Sequence, residues 1–167
     1  MDVYECLRGR RTVRRFKPTP VPEATLTKIL NAARWAPSSR NQQPWHLIVI
    51  KNRETLEQIG RVAGTGSFVG DAPLAIALVM ENADQPGMDA GRALQQMEIM
   101  AWSEGMGTCF VTLTEAERQK IVELLTIPAE MDLITVLPFG YRADDSRGRG
   151  VPRKPLSEMI HNETFGD

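Results

Sequence analysis

Six cations fall within the ten residues Arg8-Gly9-Arg10-Arg11-Thr12-Val13-Arg14-Arg15-Phe16-Lys17. A guanidinium meets phosphate oxygens two at a time, and the Thr12 hydroxyl adds a neutral donor, so the run suits a phosphate group. The same residues could instead form a solvated basic helix end, favoured by the helix dipole. Contact with a nucleic-acid backbone is a third use of such a run. The formal net charge of −1 and the lack of interleaved aromatics speak against that use.

The second cluster is Pro37-Ser38-Ser39-Arg40-Asn41-Gln42-Gln43-Pro44-Trp45. Two prolines bracket a loop of short hydrogen-bonding side chains, and Pro44 holds Gln43 extended. A loop stiffened at both ends can offer amide donors and acceptors to the edge of a flat heterocycle at fixed angles. A plain polar surface connection would account for the serines, but not for Asn, Gln, Pro and Trp crowded together.

Other chemistry-bearing residues read as structural. Gly64-Thr65-Gly66-Ser67-Phe68-Val69-Gly70 approximates a dinucleotide fingerprint, yet it follows a helical pattern rather than a strand and its glycine spacing is one residue too long. A loop is the expectation. His46 opens a strand, where packing or a backbone contact is its ordinary role, though proton donation to a substrate is open to it. Cys109 could serve as a redox thiol, but in an apolar strand its ordinary role is that of a small hydrophobe. His46 and His161 lack the Cys or carboxylate spacing of a zinc site, so no metal is expected.

The elements that must position these clusters follow from periodicity and punctuation. Asp2 caps a short helix over 2–8. Pro22 and Glu23 open a second, with Leu26, Ile29, Leu30, Ala33 and Ala36 at helical spacing, ended at Ala36 by Pro37. Residues 45–50 form a strand, and a third helix runs from Asn52 or Arg53 to the stop at Gly64 and Gly66. The apolar run 73–80 marks a strand buried on both faces. A fourth helix spans about 89–104, its wide apolar face serving the core or, as a second use, a subunit contact. Strand 108–113, helix 115–125 and strand 133–141 follow. A glycine- and arginine-rich loop, 144–150, leads to a short element at 156–160. Helices over a central sheet in one domain, 1–167, are the expected organisation, α/β or α+β.

A chain of 167 residues, 42% apolar and 25% charged, can bury a core without disulfides. Its two cysteines, Cys6 and Cys109, form no CxxC pair and suit a reducing, cytoplasmic compartment. No signal-peptide pattern precedes Arg8, and the longest apolar run is too short to span a bilayer.

Arg10 to Phe16, then Ala32-Ala33-Arg34-Trp35-Ala36-Pro37-Ser38-Ser39 with Asn41, Gln43, Pro44 and Trp45, resemble the N-terminal signature of the nitroreductase family. Asp71-Ala72-Pro73, Gly105-Met106-Gly107-Thr108-Cys109, Gly140-Tyr141 and Pro155-Leu156 match in order. The resemblance implies an α+β sandwich with a mixed, mainly antiparallel sheet flanked by helices, in an intertwined homodimer with FMN at the subunit interface. It implies electron transfer from NADH or NADPH to nitroaromatics, quinones or similar acceptors by a ping-pong route. No side chain is then catalytic, because the flavin carries the chemistry. By position, Arg10, Arg11 and Thr12 would grip the phosphate and ribityl end, with Arg153 returning to it from the tail. Arg14 would lie near the pyrimidine edge. Pro37, Ser38, Ser39 and Asn41 would arrive from the partner subunit, and backbone donors around Val111 and Thr112 would face the flavin N5. The same resemblance admits reductive dehalogenation, oxygen-dependent flavin chemistry or a non-catalytic flavin-binding module.

This sequence also departs from the family. Larger members carry a helical excursion where only residues 81–88 stand here. Thr112 replaces a common glycine. Val151 and Pro152 occupy the place of a second tail cation, for which Arg149 or Lys154 could substitute.

Overall fold

The computed structural model describes residues 1–143 and 150–166. Five helices and four strands alternate along it. Helix α1 (Val3–Gly9) opens on a capping box, in which the Asp2 carboxylate accepts from the Glu5 amide and Glu5 reaches back to the Asp2 amide. Then come α2 (Glu23–Arg34), β1 (Trp45–Ile50) and α3 (Arg53–Val62), whose first turn is capped by Asn52. The rest is β2 (Leu74–Met80), α4 (Pro86–Ser103), β3 (Met106–Thr108), α5 (Glu115–Leu124) and β4 (Asp132–Tyr141).

The strands form one sheet in the order β1-β2-β4-β3, with every neighbouring pair antiparallel. Its mixed character comes from one parallel bridge, Thr12 to Thr108, beyond β3. Along β2 every residue is buried, and alternate side chains serve opposite faces. Leu74, Ile76, Leu78 and Met80 pack with Leu26 and Ile29 of α2 and Ala93 and Met97 of α4. Ala75, Ala77 and Val79 pack with Leu56 and Ile59 of α3 and Ile121 of α5. The apolar face of α4 is therefore used by its own core. Small residues on the second face of β2 let α3 and α5 approach the sheet closely.

Several boundaries shift from those expected, and three of the differences have a clear physical cause. Helix α2 ends at Arg34, two residues early, because Ala36 N–H bonds back only to Ala33 and tightens the last turn. Helix α4 begins at Pro86, where a missing N–H costs nothing, so the link from β2 is shorter still. The third difference is a correction: strand 108–113 is not a strand. β3 stops at Thr108, and the chain beyond it is held by a side chain instead of a ladder. The Thr135 hydroxyl of β4 accepts from Val111 N–H (3.3 Å) and donates to Val111 O (2.8 Å). Val111 and Leu113 are buried against the α3 and α5 layer, so the apolar run marks packing, not pairing. The loop 144–149 lies outside the described residues, Arg149 with it.

Candidate functional site

The basic segment leaves α1 and runs along the sheet edge beyond β3. Val13 N–H donates to Thr108 O at 3.0 Å, and the Val13 side chain is buried against Gly107, where any Cβ would collide with it. Extended backbone alternates its side chains, so an inward Val13 turns Thr12 and Arg14 outward. Behind the segment, Gly9 backs onto the Trp102 indole, over which the Arg142 guanidinium lies at 4.1 Å. Arg14 extends over the Phe68 ring at 5.8 Å.

Arg8, Arg10, Arg11, Thr12, Arg14, Val151 and Arg153 line one cleft of about 700 Å³. The tail thus brings Arg153 to the basic segment across more than a hundred residues of chain. The lining contains five guanidinium groups and no carboxylate among the described residues. Their engagements differ. Arg11 donates to Arg8 O (2.7 Å) and Arg10 O (2.9 Å), closing the carbonyl end of α1, and Gly150 packs against its guanidinium. Arg10 faces Glu98 of α4 at 3.7 Å. Burial pushes the Glu98 carboxyl above its ordinary range, and Arg10 opposes that rise. Burial also pushes the Cys109 thiol up, against the pull of Arg14, which favours the protonated thiol.

The Pro37–Pro44 loop is built by other means. Arg40, Asn41 and Gln43 take φ of 50°, 57° and 51°, left-handed values that cost Arg40 and Gln43 roughly 1–2 kcal/mol each and Asn41 less, so Gln43 is not held extended by Pro44 as expected. Hydrogen bonds offset that strain. Ser39 N–H donates to both oxygens of Asp89 (3.2 and 3.1 Å), Gln43 N–H to Ser38 Oγ (2.9 Å), and Asp84 N–H to Gln42 Oε1 (3.1 Å). Asp89, in the first turn of α4, is fully buried and also accepts from Arg92 at 3.1 Å. Ser38 and Ser39 are half-buried, while Pro37 and Asn41 are exposed. Asp89 is the residue that sequence reasoning missed. An acid near a helix start reads as dipole compensation, and nothing local points to a partner fifty residues away.

The structure separates the two clusters. The loop enters β1 at one sheet edge, and the basic segment lies beyond β3 at the other. Four interstrand steps of about 4.8 Å place them roughly 19 Å apart. Helix α4 spans the same interval, holding Ser39 through Asp89 at one end and facing Arg10 with Glu98 further on. Arg10, Arg11, Thr12, Arg14 and Arg153 come together; Pro37, Ser38, Ser39 and Asn41 do not join them within one chain.

Val111 and Thr112 form a third piece. The Val111 N–H is held by Thr135, and Thr65 donates to Thr112 O at 3.4 Å, bringing the 64–70 loop alongside. A Cβ on Gly66 would collide with Val111. That loop follows α3 and forms a short 3-10 helix (Ser67–Asp71), in keeping with the discounted fingerprint. His46 pairs with Glu81 at 2.6 Å on the exposed start of β1. No cluster of His, Cys, Asp and Glu suited to a metal occurs among the described residues, and no helix there is long and apolar enough to cross a membrane.

The nitroreductase family model matches residues 7–88 and 64–141. A Methanothermobacter thermautotrophicus protein, provisionally named an NADH dehydrogenase/NAD(P)H nitroreductase, is 36% identical over 158 residues, covering 90% of this chain and 83% of that one. The FMN reductase [NAD(P)H] of Bacillus subtilis is 28% identical over 98% of this chain and 74% of its own length. Among solved structures, the FMN-dependent nitroreductase of Clostridium difficile R20291 superposes with a TM-score of 0.88 at 26% identity, covering 97% of this chain and 99% of that one.

Proposed function

The chain belongs to the nitroreductase family, and on that premise we propose that two copies of it hold FMN and pass electrons from NADH or NADPH to nitroaromatics, quinones or similar acceptors. At the coarser level it is a flavin oxidoreductase that uses NAD(P)H. One observation supports the finer reading most: a phosphate-suited cleft and a ring-suited loop stand at opposite edges of one sheet. A second copy is needed to bring a loop to a cleft.

The residues fit FMN. A cleft of about 700 Å³ is in the usual range for small-molecule sites, and its arginines carry the donor set a phosphate requires. In this reading Arg10 and Arg153 hold the phosphate, Thr12 the ribityl chain, and Arg14 fixes a positive charge beside the pyrimidine edge. Ser38, Ser39 and Asn41 of the second copy present hydroxyl, amide and carbonyl groups to the ring. FMN, when bound, supplies the redox chemistry. The chain supplies position and field, and a mouth shared in turn by donor and acceptor leads to ping-pong kinetics.

The pairing of copies has its own support. Val3, Tyr4 and Leu7 of α1 and Val151, Leu156, Met159, Ile160 and Phe165 of the tail are all exposed. Apolar surface gathered on a helix and an arm marks an interaction face.

Anaerobic mixing of the purified protein with NADH and then NADPH tests the reading, with bleaching of the flavin spectrum expected from one or both. Bound flavin that neither bleaches would leave a storage module. A colourless protein with salt-sensitive nucleic-acid binding would return the arginines to backbone docking.

A further inference from the structure

Glu98 is a carboxylate outside the cleft's lining that faces one of the cleft's own cations, Arg10. It projects from the middle of α4 with its side chain 13% exposed, and the nearest guanidinium nitrogen of Arg10 stands 3.7 Å away. That separation exceeds a good charge-assisted hydrogen bond, which closes to about 2.7–2.9 Å. The pair is Coulombic, and Arg10 keeps its N–H groups for another acceptor. Among the described residues, Arg14, from the same segment as Arg10, and Cys109, just past β3, are the other titratable groups bearing on this spot.

A phosphate monoester brings about −1.5 to −2 charges. Placed on Arg10, it would share one guanidinium with Glu98, and two anions a few ångströms apart in a part-buried site repel strongly. Arg10 cannot give up its proton, so the carboxylate is the group that can adjust. We infer that Glu98 is a positioning residue: it holds Arg10 at the cleft until a phosphate displaces it, and loading the cofactor then draws one proton from solvent onto the Glu98 carboxylate. This rests on the FMN reading above and adds a residue to it. Burial already biases Glu98 toward the protonated form, with Arg10 as the opposing influence, and a phosphate takes that influence away.

The consequence is that FMN binding depends on pH through Glu98, in a way that binding of riboflavin, which lacks the phosphate, does not. Dissociation constants of both ligands for the full-length wild type, Glu98→Gln and Glu98→Asp are measured by flavin fluorescence between about pH 6 and 8. Relative to Glu98→Gln, wild-type affinity for FMN should rise as pH falls, with a limiting slope of about tenfold per pH unit for one linked proton. Glu98→Asp should restore the slope, and riboflavin should show no difference between variants. The second ionisation of the phosphate cancels between wild type and variant.

Equal FMN slopes in wild type and Glu98→Gln would overturn the inference and leave FMN binding intact. The same slope difference with riboflavin would also overturn it, because the coupling would not run through the phosphate. Failure of the wild type to bind FMN would overturn this inference and the functional reading together. Should Glu98→Gln fold poorly, the wild type alone suffices above about pH 7, where the phosphate stays dianionic: a steeper slope for FMN than for riboflavin supports the coupling, and equal slopes end it.

Discussion

The two halves of the candidate site use opposite physics. The Arg10–Arg14 segment is a set of long cations, Arg10 and Arg11 half-buried and Arg14 exposed, hung from a short, well-pinned backbone: Val13 on Thr108, and Gly9 on Trp102. The Pro37–Pro44 loop is a strained backbone with three left-handed side-chain-bearing residues, held by a buried carboxylate. A phosphate can be caught from many angles, so its ligands tolerate freedom. A planar ring edge is recognised only by groups at fixed angles, so its ligands must be rigid. Substitutions in the loop should therefore cost fold stability, and substitutions in the basic segment should cost binding.

Asp89 gives the largest expected effect. Asp89→Ala removes a fully buried carboxylate that satisfies Ser39 N–H and Arg92 together, and leaves both without it. Taking the charged acceptor from Ser39 N–H costs up to about 3 kcal/mol of folding free energy, while Arg92, 40% exposed, can turn to water. Chemical denaturation measures it directly. A loss below about 1 kcal/mol would mean that the loop's shape is held by its prolines and by Ser38, and the contrast between the halves would blur.

Arg10 is the converse. Arg10→Ala should weaken FMN binding by about 1.5–3 kcal/mol, the worth of a hydrogen bond to a charged group, which is roughly ten- to hundredfold in affinity. Its fold stability should move by no more than about 1 kcal/mol, as for a partly exposed ion pair. Flavin retention in the variant separates the two quantities. Mixing it with Ser39→Tyr sharpens the comparison further. If a loop from one copy meets the cleft of another, subunit exchange between the two weak proteins regenerates one complete site and some activity. No recovery would put both halves to use in separate places.

Much of this was legible from residue order. The cap at Asp2, the helix start at Asn52 or Arg53, the helical spacing of α2, and the apolar run of β2 all gave elements close to those found, because each is decided within a few residues. The resemblance likewise pointed to a cleft in which Arg153 of the tail meets Arg10. What sequence concealed was decided across distance. Thr108 to Leu113 reads as a strand because an apolar run cannot tell a paired backbone from a buried one, and the group that replaces the ladder, Thr135, lies 24 residues on. Asp89 and Glu98 read as ordinary helix acids because their partners, Ser39 and Arg10, come from chain far away. The placing of the halves on opposite edges follows from strand order, which no local signal encodes.

The smallest expected effect concerns the third piece, the 64–70 loop beside Val111 and Thr112. Glu117 of α5 accepts from Thr114 N–H and from Gly64 N–H, each at 2.8 Å, tying the loop that carries Phe68 to the helix start. The two backbone N–H groups, with the Thr114 hydroxyl, hold its carboxyl below the ordinary value of 4.5. A carboxylate with a lowered folded-state pKa contributes stability that is complete above the unfolded value and disappears as pH falls through the folded one. Acid should thus release Gly64 before it unfolds the chain, and Glu117→Gln should lack that acid-dependent loss. Glu117 stands half-buried at the surface, where solvent screening keeps the effect small. Amide exchange at Gly64 against pH reports it with better contrast than global unfolding, since only the tie is broken. Parallel acid profiles in wild type and Glu117→Gln would show that Gly66, wedged against Val111, positions the loop by packing alone. That loop would then resemble the rigid half of the site, held independently of charge.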